Sequence, residues 1–443
     1  MPRDKQIGRK QYPRVTHAPH PPRDDVQRGP SFRPQPLAHD PAAPIGAVYL
    51  KTATRSPVIY RKRIERAEQV RPGDLAAVYA GDDLLGYGLY NPRSEIAVRM
   101  VRHGGDLPDE SFWNAKLQAA VSLRRDLLRL DDVADAYRVI HAESDGFPGL
   151  VVDRIGDVLS AEAYNLGMYQ RAADVLARIA PLCGTAHTLF RASPQFVSQE
   201  GCDPPPVASA GLPSETIIQE FGTRFRVRFE GGHKTGFFCD QRDNRRRLAE
   251  LCRDRTVLDL CCYTGGFAVQ AKRLGGAAEV IGVDLDEMPL ALARENANLN
   301  QVRIRFVAAD AFNYMRDMLQ AGRRFDVVVL DPPKLVRSRQ DVEEGIRKHL
   351  DLNRLAMQLV APGGLMLTCC CSGLISEAEF LKLVLTAARQ SGELVEPATA
   401  ERGARHAPRP MQILARSGAA ADHPVAAAFP ETEYLHAVWL RLE

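Results

Sequence analysis

From Thr256 onward, short apolar runs alternate with segments of helical period, and this alternation constrains the fold more than any other feature of the chain. Thr256–Leu260, Val280–Asp284, Arg303–Ala308, Phe325–Leu330 and Leu365–Thr368 read as strands, and Tyr434–Leu442 supplies a late one. Pro289–Leu299 and Val342–Val360 between them carry apolar residues at helical spacing. Such alternation specifies an α/β fold, a mostly parallel sheet with helices on both faces. Ligands on these sheets bind outside the carboxyl ends of the strands. Asp259, Asp284, Asp310 and Asp331 stand at four successive strand ends, and the first three are 25 and 26 residues apart. One such acid is ordinary as a helix N-cap. Four in register are not.

The first strand continues as Leu260-Cys261-Cys262-Tyr263-Thr264-Gly265-Gly266-Phe267. Glycines at the opening of a helix let a ligand approach the backbone closely. The run is not GxGxxG, so a dinucleotide site is not indicated. An acid followed by a glycine pair resembles the first motif of class I S-adenosylmethionine (SAM) methyltransferases. On that reading Asp259, Tyr263, Gly265 and Gly266 shape the cofactor pocket, Asp284 accepts the ribose hydroxyls and Asp310 faces the adenine.

Asp331-Pro332-Pro333-Lys334 is the substrate-facing loop, stiffened by two prolines. Related loops with an aromatic fourth residue serve amino-nitrogen methylation; Lys334 offers no stacking surface. At the fifth strand end stands Cys369-Cys370-Cys371-Ser372-Gly373. Strand alternation puts Cys369 and Cys371 on one face and Cys370 on the other. Buried cysteines usually act as small hydrophobes, whereas Cys371 is at the strand exit. A thiol there suits methylation at carbon 5 of cytosine, which becomes nucleophilic only after a thiolate adds to carbon 6. Asp331, one strand over, suits the task of holding ring nitrogen 3.

The remainder is assembled from different parts. Residues 1–46 hold ten prolines, eight Lys/Arg and four Asp/Glu, the composition of a disordered basic arm. Five short apolar runs between Val48 and Val101 predict a small β-barrel. Arg55, Arg61, Lys62, Arg63 and Arg66 in its first half form a basic face that suits either RNA or solvent. Residues 105–230 read as a middle α+β module. Arg402, Arg405, Arg409 and Arg416 form a later basic run that faces either RNA or solvent. Fifty-eight Lys/Arg against 55 Asp/Glu leave overall charge undiagnostic. Nine cysteines without CxxC pairs predict reduced thiols in a cytosolic protein and no metal centre. No signal peptide is evident, and Pro362-Gly363-Gly364 interrupts the one long uncharged stretch, so no membrane span is expected.

Taken together, Glu143–Gly149, His233–Arg242, Tyr263–Phe267, Asp331–Lys334, Cys371–Gly373 and Asp422-His423-Pro424 resemble the RlmI family of bacterial large-subunit rRNA cytosine-5 methyltransferases. The resemblance runs from about Val48 to the C-terminus. It implies an N-terminal PUA-like RNA-binding domain over 47–104, a middle α+β domain over 105–230 and a class I Rossmann-like methyltransferase domain over 231–443. It implies SAM as cofactor, 23S rRNA as partner, Cys371 as nucleophile and Asp331 as the group activating the base. Gln241 and Arg242 would then touch the methionine end of SAM, and Lys234 an RNA phosphate; pairing of this segment with acids is the structural alternative. A cytoplasmic enzyme of rRNA processing is expected, with a homodimer left open. Two rival functions stay open: methylation of a nitrogen in RNA or protein, and a non-catalytic RNA-binding or ribosome-assembly factor that retains SAM.

Overall fold

The structure is a computed structural model that describes residues 32–229, 236–396 and 405–443. Strands β1 (Gly46–Leu50), β2 (Val58–Tyr60), β3 (Ile64–Glu68), β4 (Leu75–Ala80), β5 (Asp83–Tyr90) and β6 (Ile96–His103) form one mixed sheet, ordered β2-β6-β5-β4-β1-β3. Alternation along these strands sends Val48, Leu50, Ala76, Val78, Val98 and Met100 into a shared core. The sequence does not mark β3, because four of its five residues face solvent and no alternation shows.

The expectation of a disordered arm over 1–46 needs correction where it can be checked. Residues 1–31 lie outside the described residues, but Leu37 and Ala38 are buried in the core of the middle module. The Leu37 amide donates to Asp174 at 2.7 Å, and the Gln35 amide group donates to Asp74 and Gln170 at 3.0 Å. These partners lie up to 137 residues away, so local composition cannot announce them.

The middle module opens with α1 (Glu110–Ser122), capped by Asp109, which accepts from the Phe112 amide at 2.8 Å. A π turn over Leu123–Leu127 follows and directs Arg124 inward. Next come β7 (Ala136–His141), β8 (Leu150–Ile155), β9 (Val158–Ala163), α2 (Leu166–Cys183), β10 (His187–Ala192), α3 (Phe196–Glu200) and β11 (Val207–Ala208). Their sheet is ordered β11-β10-β9-β8-β7. Trp113, Leu117, Val175 and Ile179 of α1 and α2 cover one face. The hairpin β12 (Glu215–Glu220) and β13 (Thr223–Arg228) packs Ile218, Phe225 and Val227 between the other face and Val269 of the last module.

The last module is built from α4 (Arg242–Glu250), β14 (Thr256–Leu260), α5 (Gly266–Arg273), β15 (Glu279–Asp284), α6 (Glu287–Leu299), β16 (Arg305–Ala308), α7 (Ala311–Gln320), β17 (Phe325–Leu330), α8 (Val342–Leu359), β18 (Val360–Cys370) and α9 (Glu377–Ala388). A small pair, β19 (Leu394–Glu396) and β20 (Arg405–His406), precedes β21 (Met411–Ser417) and β22 (His436–Leu442). The sheet order is β16-β15-β14-β17-β18-β22-β21. Its first five strands run parallel, β22 runs antiparallel to them, and β21 at the edge pairs antiparallel with β22. Met315, Leu352, Ala356, Phe380 and Val384 of α7–α9 cover one face. Leu248, Phe267 and Ala271 of α4 and α5 cover the other. The expected strands are all present; β19, β20 and β21 are additions, and β21 carries Arg416.

The basic run does not form one RNA-facing loop. Arg402 lies outside the described residues. Arg409 directs its guanidinium inward to the carbonyls of Val360 at 2.8 Å and Ala361 at 3.3 Å. Arg405 pairs with Glu396 at 3.2 Å and Arg416 with Glu377 at 3.7 Å. Among the described residues no helix is long and apolar enough to cross a membrane, and no cluster of ligands could hold a metal ion.

Candidate active site

The loop after β14 is under backbone constraint. Cys261 has φ +62°, Tyr263 +50° and Gly265 +80°. A left-handed conformation costs a residue with a side chain roughly 1–2 kcal/mol, so neighbours must hold the loop. The Cys262 amide donates to the Val283 carbonyl at 3.0 Å, the Tyr263 amide to Asp284 Oδ2 at 2.8 Å, and the Gly265 amide to the Cys262 carbonyl at 2.8 Å. A Cβ on Gly265 would lie 3.2 Å from both Ala293 and Phe306. Asp259 is buried and ties β14 to α5, its Oδ2 accepting from the Ala268 amide at 2.9 Å. Its Oδ1 is buried with no hydrogen-bond partner among the described residues. Burial, and then the charges of Asp331 and Asp284, push this carboxyl well above the usual carboxylate range.

Asp284 ends β15 and also accepts from the Asp286 amide at 3.1 Å through Oδ1. Asp310 is the N-cap of α7, its Oδ1 accepting from the Asn313 amide at 3.0 Å. The four strand-end acids therefore do stand along one edge of the sheet. Asp284 and Asp310 each also perform the local backbone task that an acid at such a position ordinarily performs. Gly266 opens α5 beside the Arg245 side chain. Phe306 of β16, packed against Gly265 and Gly282, is a member of this edge that the sequence did not single out.

Asp331 follows β17, beside β18, with Leu330 level with Thr368. Gln241 Nε2 donates to Asp331 Oδ2 at 3.0 Å, and Gln241 Oε1 accepts from Asn244 at 2.7 Å. Gln241 is thus engaged in setting the Asp331 carboxylate. Buried Ser372 accepts from the Val336 amide at 3.3 Å and clamps the Asp331–Lys334 loop to the end of β18.

The three cysteines separate as alternation requires. Cys369 packs with Trp439 and Ala437 on one face, together with half-buried Cys371, while Cys370 belongs to the core on the opposite face. Cys369 and Cys370 are fully buried, and burial pushes both thiols up. Cys370 lies 3.6 Å from His349 Nε2. The Cys371 thiol, just past the end of β18, donates to the Pro332 carbonyl at 3.6 Å. Nucleophile candidate and carboxylate candidate therefore meet at one loop.

The third part of the site is invisible in the sequence as a unit. Arg242 is buried and gives two bonds to Asp422, 2.8 and 3.2 Å long. Asp422 also accepts from the Arg138 amide at 2.7 Å, and its carbonyl accepts from Arg124 at 2.7 Å. Arg124 grips Asp145 with bonds of 2.7 and 2.8 Å. The runs Glu143–Gly149, Asp240–Arg242 and Asp422–Pro424 thus converge on one buried ionic network joining the middle and last modules. Arg242 follows the structural alternative, pairing with an acid. His233 and Lys234 lie outside the described residues.

In the first sheet, Arg61, Lys62 and Arg63 form an exposed turn after β2. Arg61 reaches Glu95 at 3.5 Å, and Arg66 pairs with Glu68 at 2.8 Å while lying 3.6 Å over the Tyr49 ring. Arg63 donates to the Thr52 and Thr54 hydroxyls at 3.2 and 3.3 Å. Arg55 and Lys62 have no acid within ion-pair reach among the described residues, so the face keeps positive charge.

Comparison with known proteins adds the following. Residues 198–398 match the family described as S-adenosylmethionine-dependent methyltransferase, and residues 51–103 match the PUA-like domain. The chain is 35% identical over 391 residues to the ribosomal RNA large subunit methyltransferase I of Photobacterium profundum, covering 86% of this chain and 94% of that one. The protein of the same name from Tolumonas auensis is 36% identical over 402 residues, covering 87% and 95%. Among solved structures, a Streptococcus mutans chain described as a SAM-dependent methyltransferase superposes with a TM-score of 0.71 at 18% identity, covering 89% of this chain and 99% of that one.

Proposed function

The chain belongs to the ribosomal RNA large subunit methyltransferase I family, and on that premise we propose that it forms 5-methylcytosine in 23S rRNA with Cys371 as nucleophile. It is a SAM-dependent rRNA methyltransferase with a PUA-like domain. The edge of the sheet fits the cofactor. Asp259 Oδ1 is a buried oxygen without a hydrogen-bond partner among the described residues, and at Gly265 a side chain would crowd Ala293 and Phe306 and distort the loop. Asp284 and Asp310 would hold the ribose and adenine, with Asp259, Tyr263, Gly265 and Gly266 shaping the pocket. When bound, SAM supplies an electrophilic methyl group.

One observation carries the cysteine reading. Of the three clustered thiols only Cys371 is half-buried at the strand exit, and it bonds the loop whose Asp331 carboxylate is set by Gln241. Cys371, as thiolate, adds to carbon 6 of the cytosine. Asp331, as the carboxylic acid, donates its proton to ring nitrogen 3 and so makes the ring accept that addition, and carbon 5 becomes the nucleophile. A duplexed target would have to leave its stack for the thiol to reach it. The modules 47–104, 105–230 and 231–443 would divide the work into docking, presentation and transfer. The cytoplasm, where ribosomes assemble, is the proposed place of action. Mapping 5-methylcytosine in rRNA from cells with and without the protein tests this function. One cytosine should lose its mark; loss of a nitrogen methylation instead would favour the first rival, and no change at all the second.

Asp284→Ala is expected to weaken SAM binding about 10–100-fold, since a charge-assisted hydrogen bond is worth roughly 1.5–3 kcal/mol and the Tyr263 amide also loses its acceptor. Calorimetry giving wild-type affinity would remove Asp284 from the pocket.

RNA affinity is expected to fall steeply with salt through counterion release. The Arg55→Glu, Lys62→Glu double variant should weaken it about tenfold or more at low salt and leave SAM binding unchanged. Point changes are the proper test, because Leu75 and Leu89 of the first sheet are part of the middle module's core. Filter binding that shows equal affinity for the double variant would exclude this face.

A further inference from the structure

Methylation at carbon 5 leaves a hydrogen there that must be removed before the enzyme is released from its substrate. The geometry points to Asp240 as the carboxylate that takes this proton, with Tyr434 as the residue that positions it; this rests on the cysteine mechanism proposed above.

β18 lies between β17 and β22, so Cys371 at its end is flanked by Asp331 on one side and by the chain entering β22 on the other. Cys370 is paired with His436, and the strands are antiparallel, so the chain leaving β18 runs beside the chain arriving at Tyr434. A Cβ on Gly373 would lie 3.8 Å from the Tyr434 Cβ. The 3₁₀ turn Cys239–Gln241 contributes to both flanks through consecutive residues. Gln241 donates to Asp331 at 3.0 Å, and Asp240 accepts from the Tyr434 hydroxyl at 2.6 Å. The Gln241 side chain also hydrogen-bonds Cys369, and the Asp240 carbonyl accepts from the Ala420 amide at 2.8 Å, which fixes the turn. This one turn thus engages the chains on both flanks of β18, Asp331 through Gln241 and Tyr434 through Asp240.

The two carboxylates suit different edges of the ring. Nitrogen 3 is across the ring from carbon 6. A base bonded to Cys371 through carbon 6 and held by Asp331 at nitrogen 3 has no second use for Asp331, and carbon 5 needs its own acceptor. Asp240 is mostly buried, with the Arg138 guanidinium nearby. Burial, and then Asp240, push the Tyr434 hydroxyl well above its ordinary range, so it remains a donor that orients the carboxylate. The neighbouring histidines serve less well. Burial and then the Arg138 charge lower His141 to about 2, and His423 is paired with Asp422.

The step balances without any further reagent. The Asp240 carboxylate takes the carbon-5 hydrogen as a proton. The C5–H electron pair forms the C5–C6 double bond, the C6–S bond breaks, and Cys371 leaves as thiolate.

The test uses the full chain, labelled SAM and unmethylated large-subunit rRNA. Asp240→Asn should carry out methyl transfer but not resolution, leaving a methyl-labelled covalent protein–RNA adduct on ordinary cytosine. Its later turnovers should slow by about 100-fold or more, the scale of a lost general base. Wild type should accumulate no such adduct. Tyr434→Phe should form adduct at the wild-type rate and resolve it more slowly, a split that a purely structural role would not produce. Normal resolution by Asp240→Asn would overturn the proposal. If that variant fails to bind SAM, Tyr434→Phe decides, and wild-type resolution there overturns it equally. Failure of the underlying reading is separately visible: wild type would then form no adduct even with RNA containing 5-fluorocytosine.

Discussion

Cys371→Ala is expected to abolish methylation, with turnover falling by at least about 10⁴-fold, as loss of a covalent nucleophile does elsewhere. SAM affinity and melting temperature should stay close to wild type. Cys371 is half-buried, and its hydrogen bond to the Pro332 carbonyl is long. The neighbouring variants should behave in the opposite way. Cys369 and Cys370 are fully buried, so alanine there removes packed volume and costs stability without removing the attacking atom. Rate assays beside thermal melts separate the three. A Cys371→Ala enzyme that still methylates carbon 5 would transfer the nucleophile to another thiol.

Arg242→Ala is expected to lower stability by about 3–5 kcal/mol, the usual result of removing one partner of a buried ion pair. Burial alone would push the Asp422 carboxyl up, but His423 and Arg242 outweigh it and hold it far below the usual carboxylate range. Without Arg242 that charge stays buried, with the Arg138 amide and His423 as partners. The double variant Arg242→Met, Asp422→Leu should cost less than Arg242→Ala, because no unpaired charge remains. Denaturant melts check both statements. A single variant within about 0.5 kcal/mol of wild type, the range of ordinary surface changes, would show that the network does not hold the modules together.

What the sequence disclosed, and what it withheld, follows from the range of the interactions. Asp259, Asp284, Asp310 and Asp331 are legible because strand period and even spacing are local properties. The separation of Cys370 from Cys369 and Cys371 is legible for the same reason. Arg242 and Asp422 are 180 residues apart, and Asp240 and Tyr434 are 194 apart, so no local pattern pairs them. The strand β21 escaped because it is an edge strand whose residues are mostly exposed and show no alternation. Leu37 and Ala38 escaped because a proline-rich segment hides so short a buried anchor. The left-handed conformations of Cys261 and Tyr263 belong to residue types that rarely adopt them, and the long-range bonds to Val283 and Asp284 hold them.

The central claim, a covalent cysteine mechanism at carbon 5, is tested most directly by trapping. Fluorine in place of the carbon-5 hydrogen leaves no proton to remove, so the adduct cannot resolve. Large-subunit rRNA containing 5-fluorocytosine, incubated with the enzyme and SAM, should become covalently attached to the wild-type protein, and peptide mapping should place the linkage on Cys371. Attachment at Cys369, Cys261 or Cys262, or methylation of RNA with no attachment at all, would contradict the account.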